Sequence, residues 1–109
     1  MIVITGASGL IGTAVASTLL KEHPLRLQVR KRAKLAPELS RSCQVREIDF
    51  ETCSDNMLGS MLEGADTVIH SAGLVHQPDA TYGEYELLNV RTTQQLASLA
   101  AARHPSWCR

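Results

Sequence analysis

A glycine spacing close to the amino terminus constrains this chain more than any other feature. Thr5-Gly6-Ala7-Ser8-Gly9-Leu10-Ile11-Gly12 stands directly after the β-branched run Ile2-Val3-Ile4, which has the pattern of a buried strand. Directly behind it, Ile11, Ala14, Val15, Thr18 and Leu19 recur with the period of an amphipathic helix. A strand, a tight turn and a helix start are the setting in which a TGxxGxxG spacing has a physical job. Gly6 permits the turn, Gly9 removes a side chain where an anion must approach the backbone, and Gly12 lets the helix pack closely on the sheet. The amides around Ser8, Leu10 and Ile11, at the positive end of that helix, are then placed to face a diphosphate.

The rest of the chain alternates strands and helices. Pro24 ends the first helix, and Leu25 to Arg30 alternates with period two, so a second strand is expected with Leu25, Leu27 and Val29 on one face. Lys31 to Ser42 should hold a loop and a short helix near Pro37, and Gln44 to Phe50 a third strand. Ser54 or Asp55 can cap a helix through Met57, Leu58, Met61 and Leu62, with Gly64 as its left-handed terminator. Asp66 to His70 reads as a fourth strand. After a loop from Ser71 to Asp79, a helix is expected over roughly Thr81 to Ala102, with Tyr85, Leu88, Thr92, Leu96 and Leu99 one turn apart. Such alternation predicts an α/β fold, a Rossmann-type doubly wound parallel sheet cut short after about four strands. Residues 1–103 form one partial dinucleotide-binding domain, and 104–109 a divergent tail.

Composition narrows the function further. A chain of 109 residues carries eleven basic and eleven acidic side chains, so no global field draws it to nucleic acid or to an anionic membrane. No apolar run approaches the roughly 18 residues of a membrane span, and the amino terminus lacks a signal-peptide pattern, so a cytoplasmic protein is expected. Cys43, Cys53 and Cys108 match neither a disulfide framework nor a zinc site and read as free thiols. His70 and His76 stand six apart with no third ligand of fitting spacing, so no metal is expected.

Four blocks, in order, resemble the extended branch of the short-chain dehydrogenase/reductase superfamily, the NAD-dependent epimerases and dehydratases acting on nucleotide sugars. The glycine block is the first, and Ile48-Asp49-Phe50 resembles the acidic dipeptide after strand three. Val68-Ile69-His70-Ser71-Ala72-Gly73 resembles the segment beside the cofactor, and Tyr85-Glu86-Leu87-Leu88-Asn89-Val90-Arg91-Thr92-Thr93 resembles the YxxxNVxGT helix. The resemblance implies that the cofactor touches Gly6, Ser8, Gly9, Leu10, Ile11, Gly12, Asp49, Phe50, Ser71, Ala72, Gly73 and Asn89, with the Asp49 carboxylate on the adenine amino group. Without the resemblance, Asp49 reads equally as a cap on a neighbouring loop, and Asn89 as a buried polar residue bonded to backbone. Thr92 stands where the family has glycine.

The resemblance runs from residue 1 to about 103 and stops there, over the first half of a family member. Its proton-transfer pair, a tyrosine four residues before a lysine, has no counterpart, because Lys21, Lys31 and Lys34 all precede Tyr82 and Tyr85. The expectation is therefore an amino-terminal cofactor-binding part of an epimerase, dehydratase or reductase, inactive alone. The alternative is a non-catalytic dinucleotide-binding module that senses cofactor or docks a partner. As to cofactor, the end of the second strand carries Val29-Arg30-Lys31-Arg32 and no carboxylate, which favours NADP over NAD with Arg30 on the 2′-phosphate. The competing reading of Arg30 is a solvated basic turn. A fourth strand at the edge of the sheet would expose unpaired backbone, a surface for self-association or a partner.

Overall fold

The computed structural model describes residues 1–72 and 90–103. Strand β1 spans Ile2–Thr5 and is followed by helix α1, Leu10–Leu19. Strand β2 is Leu25–Val29, and a single 3-10 turn at Arg32–Lys34 precedes helix α2, Pro37–Ser42. Strand β3 is Gln44–Glu47, α3 is Asp55–Leu62, β4 is Thr67–His70 and α4 is Thr92–Arg103. The four strands lie in the order β3-β2-β1-β4, every neighbouring pair parallel. This is a Rossmann-like α/β sheet, wound outward in both directions from β1.

Alternation along β1 sends Val3 and Ile4 to opposite faces, and each seeds a core. Ile4 packs with Ala7, Ala16, Leu25, Leu27, Val29, Leu35 and Leu39, on the side covered by α1 and α2. Val3 packs with Ile48, Phe50, Leu58, Met61, Leu62, Ala65 and Leu96, under α3 and α4. Thr92, the residue in the glycine position of α4, is buried, so the helix accommodates a β-branched side chain there.

Two expectations are corrected. Val15 and Leu19 pack against the core as expected, but the fully buried positions of α1 are Gly12 and Ala16, with Ile11 68% exposed and Ala14 and Thr18 in solvent. The helix is rotated because its tightest contact with the rest of the fold is made by a residue without a side chain. Strand β3 ends at Glu47, short of Phe50, because its ladder with β2 closes at Val29↔Glu47. Ile48 still donates its N–H to the Val29 carbonyl at 2.9 Å before the chain turns away. Helix α3 follows expectation at both ends. The Ser54 hydroxyl accepts from Met57 N–H at 3.2 Å, and Gly64 takes the left-handed conformation at φ 74° just past the helix.

Every residue of β2 is buried, the polar ones included. A central strand covered on both faces has no solvent side, so Arg26 must find partners inside the fold. Its guanidinium donates to the carbonyls of Met61 and Glu63, each at 2.6 Å, and to Gln44 Oε1 at 3.0 Å. A cation thus sits on orphan carbonyls at the negative end of α3. Burial lowers its pKa first, and Arg46 adds to this while Glu63 opposes it; an arginine remains charged under such shifts. Arg26→Met keeps much of the apolar stem but leaves buried acceptors unpaired, and the expected loss is about 2–3 kcal/mol of unfolding free energy by chemical denaturation. An unchanged denaturation midpoint would show that water replaces the guanidinium.

Candidate functional site

All four strands deliver their carboxyl ends to one rim, and the glycine loop lies at its centre. Gly6 leaves β1 at φ 66°, a left-handed conformation that favours glycine. Most of the loop's inward amides are then satisfied within the fold. Gly6 N–H donates to Gln28 Oε1 at 2.8 Å, Ala7 N–H to the Gln28 carbonyl at 3.1 Å, and Gly9 N–H to the Gly6 carbonyl at 3.0 Å. Thr13 adds its N–H to the Gly9 carbonyl and its hydroxyl to the Ala7 carbonyl, both at 2.9 Å. The amides of Ser8, Leu10, Ile11 and Gly12 have no partner among the described residues. They are the loop donors left for a ligand, at the positive end of α1.

Steric demands separate the glycines. A Cβ on Gly6 would lie 2.8 Å from the Ala72 backbone, and one on Gly12 would overlap the Gly6 carbonyl and lie 2.9 Å from Ala7 Cα. Gly9 differs: its φ of −77° is open to any residue, and the nearest atom to an added Cβ is the Gly6 carbonyl oxygen at 3.3 Å. The fold itself asks less of Gly9 than of Gly6 or Gly12. Leu10, 91% exposed, and Ile11 stand beside it as uncovered apolar side chains.

Thr5 fastens the loop to β4. Its hydroxyl oxygen accepts the amides of Ser71 at 3.0 Å and Ala72 at 3.2 Å, while the Ser71 hydroxyl donates to the Thr5 carbonyl. With both lone pairs engaged, the Thr5 hydroxyl hydrogen goes to His70 Nδ1 at 2.6 Å, which places the imidazole proton on Nε2. Nε2 is buried without a partner among the described residues, and burial lowers the His70 pKa, which favours the neutral ring. Phe50 meets its edge at 6.3 Å between centroids.

Arg30 and Asp49 come together across the exits of β2 and β3, with Arg30 Nε 3.8 Å from Asp49 Oδ2. The other Asp49 oxygen accepts from Glu51 N–H at 3.0 Å, and the Asp49 carbonyl accepts from Thr52 and Cys53. The carboxylate therefore caps its own loop on one side and faces Arg30 on the other. Gly6, Ser8, Gly9, Leu10, Ile11, Gly12, Arg30, Asp49, Phe50, Ser71 and Ala72 all occupy this rim; Gly73 and Asn89 lie outside the described residues. Sequence reading missed Gln28 and Thr5 as parts of the site. A glutamine inside an otherwise aliphatic central strand was the available signal for Gln28.

The profile of the NAD dependent epimerase/dehydratase family matches residues 2–107, and the chain belongs to that family. It is 32% identical over 106 residues to an uncharacterized membrane protein of Methanocaldococcus jannaschii, the match covering 91% of this chain and 32% of the relative. Among the described residues, no helix is long and apolar enough to cross a membrane. Among solved structures, Pen from Bacillus thuringiensis superimposes with a TM-score of 0.79 at 26% identity, over 93% of this chain and 33% of that one. UDP-glucuronic acid 4-epimerase from Bacillus cereus, in complex with NAD, gives 0.77 at 24% identity, over 93% and 35%. The chain thus spans about a third of the length of the relatives it matches.

Two measurements test this geometry. Gly12→Ala pushes one backbone into another and should cost about 1–3 kcal/mol in chemical denaturation, whereas Gly9→Ala should change stability by less than about 1 kcal/mol. Equal losses would contradict the steric division. For His70, a folded pKa below the unfolded value of about 6.5 means that its share of stability is fully present above that pH. It is lost as pH falls below that value through the folded pKa. The wild-type melting temperature should therefore drop more steeply between about pH 7.5 and 5.5 than that of His70→Asn, and parallel curves would refute the neutral assignment.

Proposed function

We propose that residues 1–103 hold the adenosine and diphosphate part of a nicotinamide dinucleotide, as the cofactor-binding part of an NAD(P)-dependent nucleotide-sugar epimerase, dehydratase or reductase. One observation carries this reading: free amides converge at the start of α1 around Gly9, where the fold leaves room for a ligand that a side chain would block. Solved neighbours described in complex with NAD support it. In this reading Asp49 and Phe50 border the adenine, Ser71, Ala72, Gly73 and Asn89 line the far side, and the bound dinucleotide supplies hydride chemistry to a substrate held by the rest of a full-length relative.

Arg30 supports a preference for NADP over NAD. Its side chain is 68% exposed at the exit of β2, with only the long contact to Asp49 among the described residues, and so is available to a 2′-phosphate. A second reading is a non-catalytic dinucleotide-binding module that senses cofactor or docks a partner, and the outer edge of β4, which no described strand covers, supports it. Burial raises the pKa of the free thiols Cys43 and Cys53, which keeps them protonated and suits a reducing cytoplasm. The outer side of β4, the edge of the described sheet, is where self-association or a partner would add a strand.

Calorimetric titration tests the proposal. 2′-Phospho-ADP-ribose should bind about as well as NADPH, no turnover should accompany binding, Gly9→Val should abolish both titrations, and Arg30→Ala should narrow the preference for the 2′-phosphate. A gain of roughly a hundredfold from the nicotinamide moiety, about 2.7 kcal/mol, would contradict the half-site. An unchanged NADP-to-NAD ratio in Arg30→Ala would remove that residue's role.

A further inference from the structure

The loop and the exit of β3 share one buried connection. Gln28 is 3% exposed, and its side-chain amide is spent at both ends: Oε1 accepts Gly6 N–H at 2.8 Å, and Nε2 donates to the Ile48 carbonyl at 2.7 Å. Its backbone carbonyl takes the next loop amide, Ala7, at 3.1 Å. Gly6 opens the loop with the free amides, and Ile48 immediately precedes Asp49 and Phe50. A single side chain therefore spans from the diphosphate end of the proposed site to its adenine end, across the end of the central strand.

We infer that Gln28 is a positioning residue for the dinucleotide, holding the glycine loop and the Asp49-Phe50 segment at the separation that one adenosine diphosphate requires. The inference rests on the dinucleotide reading of this rim. Backbone bonds from Ala7 N–H to the Gln28 carbonyl and from Ile48 N–H to the Val29 carbonyl also tie the two segments to β2, but they leave the Gly6 amide and the Ile48 carbonyl to the Gln28 side chain. Among the described residues the Gly6 amide is bonded to Gln28 alone, and it lies at the turn where β1 becomes loop. Without the amide, Gly6 N–H and the Ile48 carbonyl are left buried without partners, a situation relieved by moving apart toward water. The amides of Ser8, Leu10 and Ile11 would then present to the diphosphate with a spread of geometries, and pre-organised affinity would be lost. Arg26, two residues earlier on the same face, spends its guanidinium on α3 and takes no part in the rim.

The test is titration of the 109-residue chain with ADP-ribose, alongside amide hydrogen exchange at Gly6. Gln28→Met, similar in length but without the amide, should bind ADP-ribose at least tenfold more weakly while circular dichroism stays that of the wild type, and Gly6 exchange should accelerate. Gln28→Glu adds a readout that a merely structural residue would not move. As a neutral acid it offers one acceptor and one donor, like the amide; once ionised it loses the donor facing Ile48. Its ADP-ribose affinity, divided by that of the wild type at each pH, should therefore fall as pH rises through the carboxyl pKa, and this arm holds if Gln28→Met fails to fold. Wild-type binding together with a Gln28→Met affinity within twofold, or a Gln28→Glu ratio flat with pH, overturns the positioning role alone. A wild-type chain that binds neither ADP-ribose nor 2′-phospho-ADP-ribose overturns the dinucleotide reading, and the role falls with it.

Discussion

Backbone meets backbone at two points beside the first strand, and the organisation of the site depends on both. At Gly6 the chain passes the Ala72 backbone with no room for a Cβ, and at Gly12 the first turn of α1 closes over the Gly6 carbonyl in the same way. Close packing of this kind leaves no slack. It folds the loop back on β2, so some amides must bond inward and others must point out. The inward ones, at Gly6, Ala7 and Gly9, are consumed by Gln28 and by the loop's own carbonyl. The outward ones keep their capacity because helix geometry offers them no carbonyl. The proposed anion site is thus the unspent part of a packing solution.

That solution was legible to the extent that it is local. Glycine spacing between a β-branched run and a helical period marks the turn, Ser54 and Gly64 mark the ends of α3, and regular alternation implies the parallel order β3-β2-β1-β4. The rotation of α1 was not legible, because period counting weighs Ile11 heavily and Gly12 and Ala16 hardly at all, while packing reverses those weights. Nor was the destination of the polar residues of β2. Arg26 and Gln28 read as the alternate positions of a half-buried strand, yet their partners, Met61, Glu63, Ile48 and Gly6, are from 20 to 37 residues away and no periodicity announces them. Asp49 follows the loop-cap reading through one carboxylate oxygen, while its other oxygen faces Arg30, a partner 19 residues away that no local pattern announces.

The two ends of the sheet carry different tasks, and charge follows the division. Each helix that follows a strand runs back against it, so α1 presents its positive end at the carboxyl rim, where the free amides are, and α3 presents its negative end at the opposite rim. There Arg26 is buried on the Met61 and Glu63 carbonyls, and backbone bonds from Ile2 to Pro24 and from Asp66 to Met1 close the strand starts. A chain with no net charge can therefore carry local positive potential at one end, from the α1 dipole, the free amides and the exposed Arg30. Because the Arg26 guanidinium bonds to the α3 carbonyls at the rim opposite the loop, changes at Arg26 should act on stability, whereas Gln28, two residues on along the same face of β2, bonds to the loop itself and is placed to act on binding. Position along β2, more than polarity or burial, separates a residue that holds the fold together from one that shapes its site.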